Sequence, residues 1–124
     1  MLKIFLVALG GSIGATMRYL VSDWTAQRWG ADFPYGTLIV NVVGCFIIGL
    51  FMSLVTERII VSPYWRLLVT VGFIGGLTTF SSFSYETIKL INNGQMTFAL
   101  YNIIANFVLG FFATWTGISL AKLF

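Results

Sequence analysis

The chain has 124 residues, 58% of them hydrophobic and 9% charged, with a formal charge of +3 and a mean hydropathy of +0.93. Such a chain forms one small domain and is too apolar to cover itself in water, so lipid is its natural solvent. No histidine, a lone cysteine (Cys45) and no basic run exclude an intrachain disulfide, a zinc site, cysteine–histidine chemistry and nucleic-acid binding, and leave an enzyme little to work with.

Segment one runs from about Leu2 to Leu20. Lys3 ahead of an apolar run has the look of a secretory signal, but three more hydrophobic spans follow and no separate soluble domain does, so it reads as a membrane helix. Lys3 and Arg18 fall near its ends, where long cationic side chains snorkel. Gly10-x-x-x-Gly14 and Gly11-x-x-x-Ala15 line one face with small residues, which favours close helix approach; no strand precedes them, so a phosphate loop is the poorer reading. Val21 to Tyr35, with Asp23, Arg28, Asp32, Trp24 and Trp29, reads as a short interfacial helix or loop.

Segment two, about Thr37 to Val55, carries no formal charge. Asn41 is its polar exception, and an amide at that depth serves either as glue between helices or in a pore. Cys45, beside Gly44, reads as a small buried hydrophobe. Glu57, Arg58, Ser62-Pro63 and Arg66 form a polar connection, with Tyr64 and Trp65 at the interface.

Segment three, about Leu67 to Leu90, contains Gly72-Phe73-Ile74-Gly75-Gly76-Leu77-Thr78-Thr79-Phe80-Ser81-Ser82-Phe83-Ser84. Glycines and hydroxyls in this density are poor material for an unbroken lipid-facing helix, and a break would free carbonyls and amides at mid-membrane depth, where half-helix ends bind ions. Tight packing through Gly72-x-x-x-Gly76 is the competing reading on spacing alone. Glu86 and Lys89, three apart, are expected to pair on one helical face. Asn92-Asn93-Gly94 is a turn signal. Segment four, about Met96 to Ala121, places Asn102, Asn106 and Gly110 on one face.

With four spans, Lys3, Arg58, Arg66 and Lys122 fall on one side, Arg28 and Lys89 on the other, and Arg18 approaches the second side. So slight a bias is a weak topological instruction, compatible with insertion both ways and with an antiparallel homodimer.

Gly75-Gly76-Leu77-Thr78-Thr79-Phe80-Ser81-Ser82-Phe83-Ser84 with Glu86 resembles the central signature of the CrcB/Fluc fluoride channel family. Gly10-Gly11-Ser12-Ile13-Gly14-Ala15-Thr16-Met17-Arg18-Tyr19 and Gly36-Thr37-Leu38-Ile39-Val40-Asn41 resemble its first- and second-helix motifs, so the likeness covers essentially the whole chain. The resemblance implies an all-α integral membrane protein of the bacterial inner (plasma) membrane. It also implies a third helix broken near its middle, an antiparallel, dual-topology homodimer with two pores, and passive fluoride export. It places a structural sodium ion on the carbonyls of Gly75 and Thr78. It assigns Asn41, Phe80 and Phe83 to the pore, with Thr79, Ser81, Ser82 and Ser84 at or beside its polar positions. The polar track of the fourth helix maps onto Asn102, Asn106 and Gly110, where glycine replaces a common serine.

The chemistry is coherent from below. A small, strongly hydrated anion needs donors in place of water, and amides and hydroxyls supply them. Phenylalanine presents a positive ring edge to an anion and keeps the passage narrow. Arg18 raises anion concentration at a vestibule or serves a structural pairing. A small multidrug resistance-type proton/cation antiporter shares four spans and dual topology, but it needs a carboxylate in the first helix, and segment one has none. A non-transporting membrane subunit is the other alternative.

Overall fold

A computed structural model describes residues 1–124. It is all helix: α1 (Leu2–Trp29), α2 (Tyr35–Glu57), a composite third span, and α6 (Met96–Ala121). The third span, Pro63–Asn92, consists of α3 (Pro63–Arg66), a π-helical stretch Leu67–Ile74, α4 (Gly75–Leu77) and α5 (Phe80–Asn92). The four spans are each long and apolar enough to cross a membrane, as the sequence predicts.

α1 is longer than expected. Nothing between Val21 and Trp29 breaks a helix: there is no glycine or proline, and Gln27 Nε2 donates to Asp23 Oδ2 at 2.8 Å across one turn. The helix therefore runs on to Gly30, whose φ of 85° ends it, and the separate interfacial element expected from Val21 to Tyr35 shrinks to a link of a few residues. At 28 residues α1 is about 42 Å long, more than the ~30 Å hydrocarbon core, so Trp24 and Trp29 ride its last turns to headgroup level. α2 gains two residues at each end over the expected Thr37–Val55. The third span begins at Pro63 because Ser62 Oγ accepts from Tyr64 N–H at 3.3 Å and proline suits a first helical turn.

The break in the third span is real, but it falls after the glycines. Thr78 (φ −84°, ψ 153°) and Thr79 (φ −152°, ψ 119°) are extended, whereas Gly72, Gly75 and Gly76 are helical. Both readings of this stretch thus hold, at different residues. Gly72 and Gly76 are where α1 comes close: a Cβ on Gly72 would lie 2.9 Å from the Val7 carbonyl oxygen, and one on Gly76 2.5 Å from that of Gly11. The β-branched threonine pair takes the extended backbone that suits its side chains.

α1 packs along the first half of the third span, and α2 along α6, with α5 leaning on α6. Gly49 and Gly117 allow the second approach; a Cβ on Gly117 would sit 2.8 Å from Leu50 N. The groove between these two packed pairs holds the break.

Candidate functional site

Asn41 of α2 sits opposite the break and substitutes for the missing helical turn. Its Oδ1 accepts from Thr79 N–H at 2.8 Å, and its Nδ2 donates to the Thr79 carbonyl at 3.1 Å. One amide side chain thus satisfies both main-chain groups of Thr79, which hydrocarbon would otherwise leave unpaired at a cost of several kcal/mol. Thr79 in turn caps α5: its Oγ1 accepts from Ser82 N–H at 3.1 Å and lies 3.1 Å from Ser82 Oγ and 3.2 Å from Ser81 Oγ.

From Asn41 a chain of amides runs along α6. Asn41 Nδ2 donates to Asn106 Oδ1 at 3.0 Å, and Asn106 Nδ2 donates to the Asn102 carbonyl (2.8 Å) and to Asn102 Oδ1 (3.0 Å). Asn102 Nδ2 then donates to Thr87 Oγ1 at 2.9 Å, which donates to the Phe83 carbonyl at 2.7 Å. Asn102 is completely buried, while Asn41 and Asn106 are half-buried.

Asn41 and Asn106 line a groove of about 400 Å³ with Gly44, Cys45, Thr78, Thr79, Phe80, Phe83, Phe107, Gly110 and Phe111; Asn102 lies buried behind it. Phe83 is buried, whereas Phe80 is 73% exposed, and their ring centroids stand 5.6 Å apart with planes tilted by 53°. The aromatic series continues through Phe107 (6.1 Å, 74°, edge-on to Phe83) to Phe111 (6.0 Å from Phe107). Sequence reasoning missed Phe107 and Phe111. Their signal was their own i,i+4 spacing, one position after Asn106 and Gly110. Cys45, expected to be buried, is a free, half-buried thiol on the groove wall, and a Cβ on Gly110 would lie 3.5 Å from its sulfur.

The other expected positions lie around this groove. Ser82 is half-buried; Ser81 and Ser84 are exposed, and the Ser84 hydroxyl has no hydrogen-bond partner within the chain. Gly75 is exposed and Thr78 half-buried. Both have lost their regular carbonyl donors, because Thr79 N–H goes to Asn41 and Ser82 N–H to Thr79 Oγ1. Arg18 is half-buried on α1 and lines neither this groove nor the chamber described next.

The expected Glu86–Lys89 pair does not form. Glu86 Oε1 instead accepts from Thr37 Oγ1 at 2.8 Å, and its Oε2 is buried without a partner. α2 lies close enough to offer a buried hydroxyl, so the carboxylate turns inward while Lys89 stays exposed. Thr37, Glu86 and Lys89 line a second chamber of about 460 Å³ at the end of the molecule where α1 meets α2.

Neutral amides, a capped helix break and phenylalanine rings thus meet in one groove that has no charged side chain in its lining. Residues 5–118 match the family model described as CrcB-like protein, Camphor Resistance (CrcB). The chain belongs to this family. It is 49% identical over 121 residues, 98% of this chain and 99% of the relative, to a protein of Solibacter usitatus named fluoride-specific ion channel FluC. Proteins of the same name from Sulfurihydrogenibium sp. (49% identity, 98% of each chain) and Roseiflexus sp. (46%, 98% of each) are similarly related. The resemblance drawn from the third-span motif is therefore borne out over nearly the full length.

Proposed function

We propose that the chain is one subunit of a passive, fluoride-selective channel in the plasma membrane, an antiparallel homodimer with two pores and a structural sodium ion at its centre. Its function is transport, not catalysis. Relatives at 46–49% identity over 98% of this chain carry the name of fluoride-specific ion channel. The observation that carries the reading is the groove at the break, where amides, hydroxyls and four phenylalanine rings meet at mid-span with no lysine or arginine among the lining residues.

A fluoride ion stripped of water faces a cost on the order of tens of kcal/mol unless donors replace its shell. The groove supplies neutral ones. Both protons of the Asn41 amide are already engaged, as are those of Asn106. An entering anion therefore exchanges with an existing bond instead of filling a vacancy. The net gain is small at each position, and weak, successive sites are what conduction requires. Phe80 and Phe83 offer ring edges along this route and hold it narrow against larger anions.

A lone subunit exposes Gly75, Phe80, Ser81 and Ser84 beside the break, at a depth where uncovered backbone is costly. A second copy inserted in the opposite sense covers that face. The Gly75 and Thr78 carbonyls, released from helical bonding, fit a hard monovalent cation, and two copies double the oxygen set. A sodium ion held there would supply positive charge that fixes the pair and offsets anion desolvation. Antiport gains no support. α1 does contain Asp23, because it continues to Trp29, but that carboxylate is exposed near the helix end and engaged by Gln27.

Purified protein in liposomes, followed with a fluoride electrode, tests the reading. Efflux should be passive, independent of nucleotide and much faster than that of chloride. Vesicles that hold fluoride as tightly as empty ones overturn it.

A further inference from the structure

The opposite end of the molecule, where α2 and α6 finish and α3 begins, carries a basic cluster that the channel reading does not use. Arg58 Nη2 donates to the Lys122 carbonyl at 3.4 Å, and Arg66 Nη2 to the Val55 carbonyl at 3.4 Å. These bonds tie Arg58 to the main chain at the end of α6 and Arg66 to that of α2, and Arg58, Arg66 and Lys122 are all exposed. Neither guanidinium is hydrogen-bonded to a carboxylate, so most of its N–H donors stay free. Arg58 and Arg66 line one cavity of about 290 Å³, which also holds Glu57 and the apolar Val55, Ile59, Ile60 and Val61. At its rim Ile59 (53% exposed) and Ile60 (104%) project outward, and Tyr64 and Trp65 are exposed nearby in the chain.

We propose that this cavity binds the phosphate of an anionic phospholipid, of the phosphatidylglycerol type, from the surrounding leaflet. Two guanidiniums with free edges match phosphate oxygens bidentately. The site lies at the ends of the spans, at headgroup level, where tyrosine and tryptophan are favoured. The isoleucine lip gives acyl chains an apolar surface that a free phosphate ion would leave uncovered. This is what favours lipid over soluble anion. The other end of the molecule differs: Arg28 and Lys89 there share the surface with Asp23 and Asp32, whereas Glu57 is the one acidic side chain beside Arg58 and Arg66.

The test uses the full-length protein in neutral detergent, titrated with short-chain phosphatidylglycerol, short-chain phosphatidylcholine or inorganic phosphate. Thermal unfolding is followed, with native mass spectrometry to count retained lipid. Phosphatidylglycerol should raise the unfolding temperature and remain bound, and the other two should not. Arg58→Gln with Arg66→Gln should weaken that binding roughly ten-fold or more, while fluoride efflux from phosphatidylcholine vesicles stays at the unsubstituted level. Arg28→Gln, at the other end, should leave the lipid effect intact. Equal shifts from the two lipids overturn the proposal even if the double variant fails to fold. So does an equal shift from inorganic phosphate, which would make the site one for free anions.

Discussion

At the residue scale, Asn41 and Phe80 separate two kinds of importance. Asn41 holds the break together from half-buried depth, while Phe80 is largely exposed on the subunit and packs mainly against Phe83. Asn41→Ala would leave both main-chain groups of Thr79 without partners, at a cost of about 1–3 kcal/mol. We expect that variant to unfold at lower temperature and to lose fluoride efflux. Phe80→Ala should lose efflux with a smaller fall in unfolding temperature than Asn41→Ala, since within the subunit its ring packs mainly against Phe83 and no backbone group depends on it. Equal destabilisation by both would mean that Phe80 is structural. Asn41 was legible in the sequence as a lone amide in an apolar span. Its role as surrogate for a helical turn was not, because its partner Thr79 lies 38 residues further along the chain.

At the element scale, the small-residue faces are not uniform. The sequence offers Gly10, Gly11 and Gly14 as equivalent members of one stripe, yet at only two of them would an added Cβ collide with the third span. A Cβ on Gly14 would lie 2.8 Å from Leu77 N and against the Phe73 carbonyl, whereas one on Gly11 would find nothing nearer than the Gly72 carbonyl oxygen at 3.8 Å. Gly14→Ala must push α1 off the third span, with an expected loss of about 1–3 kcal/mol. Gly11→Ala should be tolerated. Thermal unfolding of the two variants side by side distinguishes them, and equal behaviour would contradict the interface described here. The extension of α1 to Trp29 is a difference of the same scale: charges and tryptophans suggested a separate short interfacial helix or loop, but without a breaker α1 continues into the headgroup region.

At the scale of the whole molecule, four spans with few and nearly balanced flanking charges leave orientation weakly specified. In the proposed dimer, the second copy covers the exposed residues beside the break, Gly75, Phe80, Ser81 and Ser84. C-terminal reporters that signal only in the cytoplasm, or only outside it, should both be active on separate copies of the same chain. Activity confined to one compartment would remove the antiparallel dimer and, with it, the shared cation site.

The sequence by itself determined the solvent, the number of spans and the family. Hydrophobic runs bounded by charge are local, and the third-span motif is contiguous. Tertiary structure decided where the backbone breaks and what satisfies it. Glycine density marks where helices touch, but the break settles where a distant amide replaces the lost hydrogen bonds, and that depends on α2 packing across the third span. It likewise turned Glu86 from a neighbour on its own helix to Thr37 on another, since a buried carboxylate takes the donor that packing brings within reach.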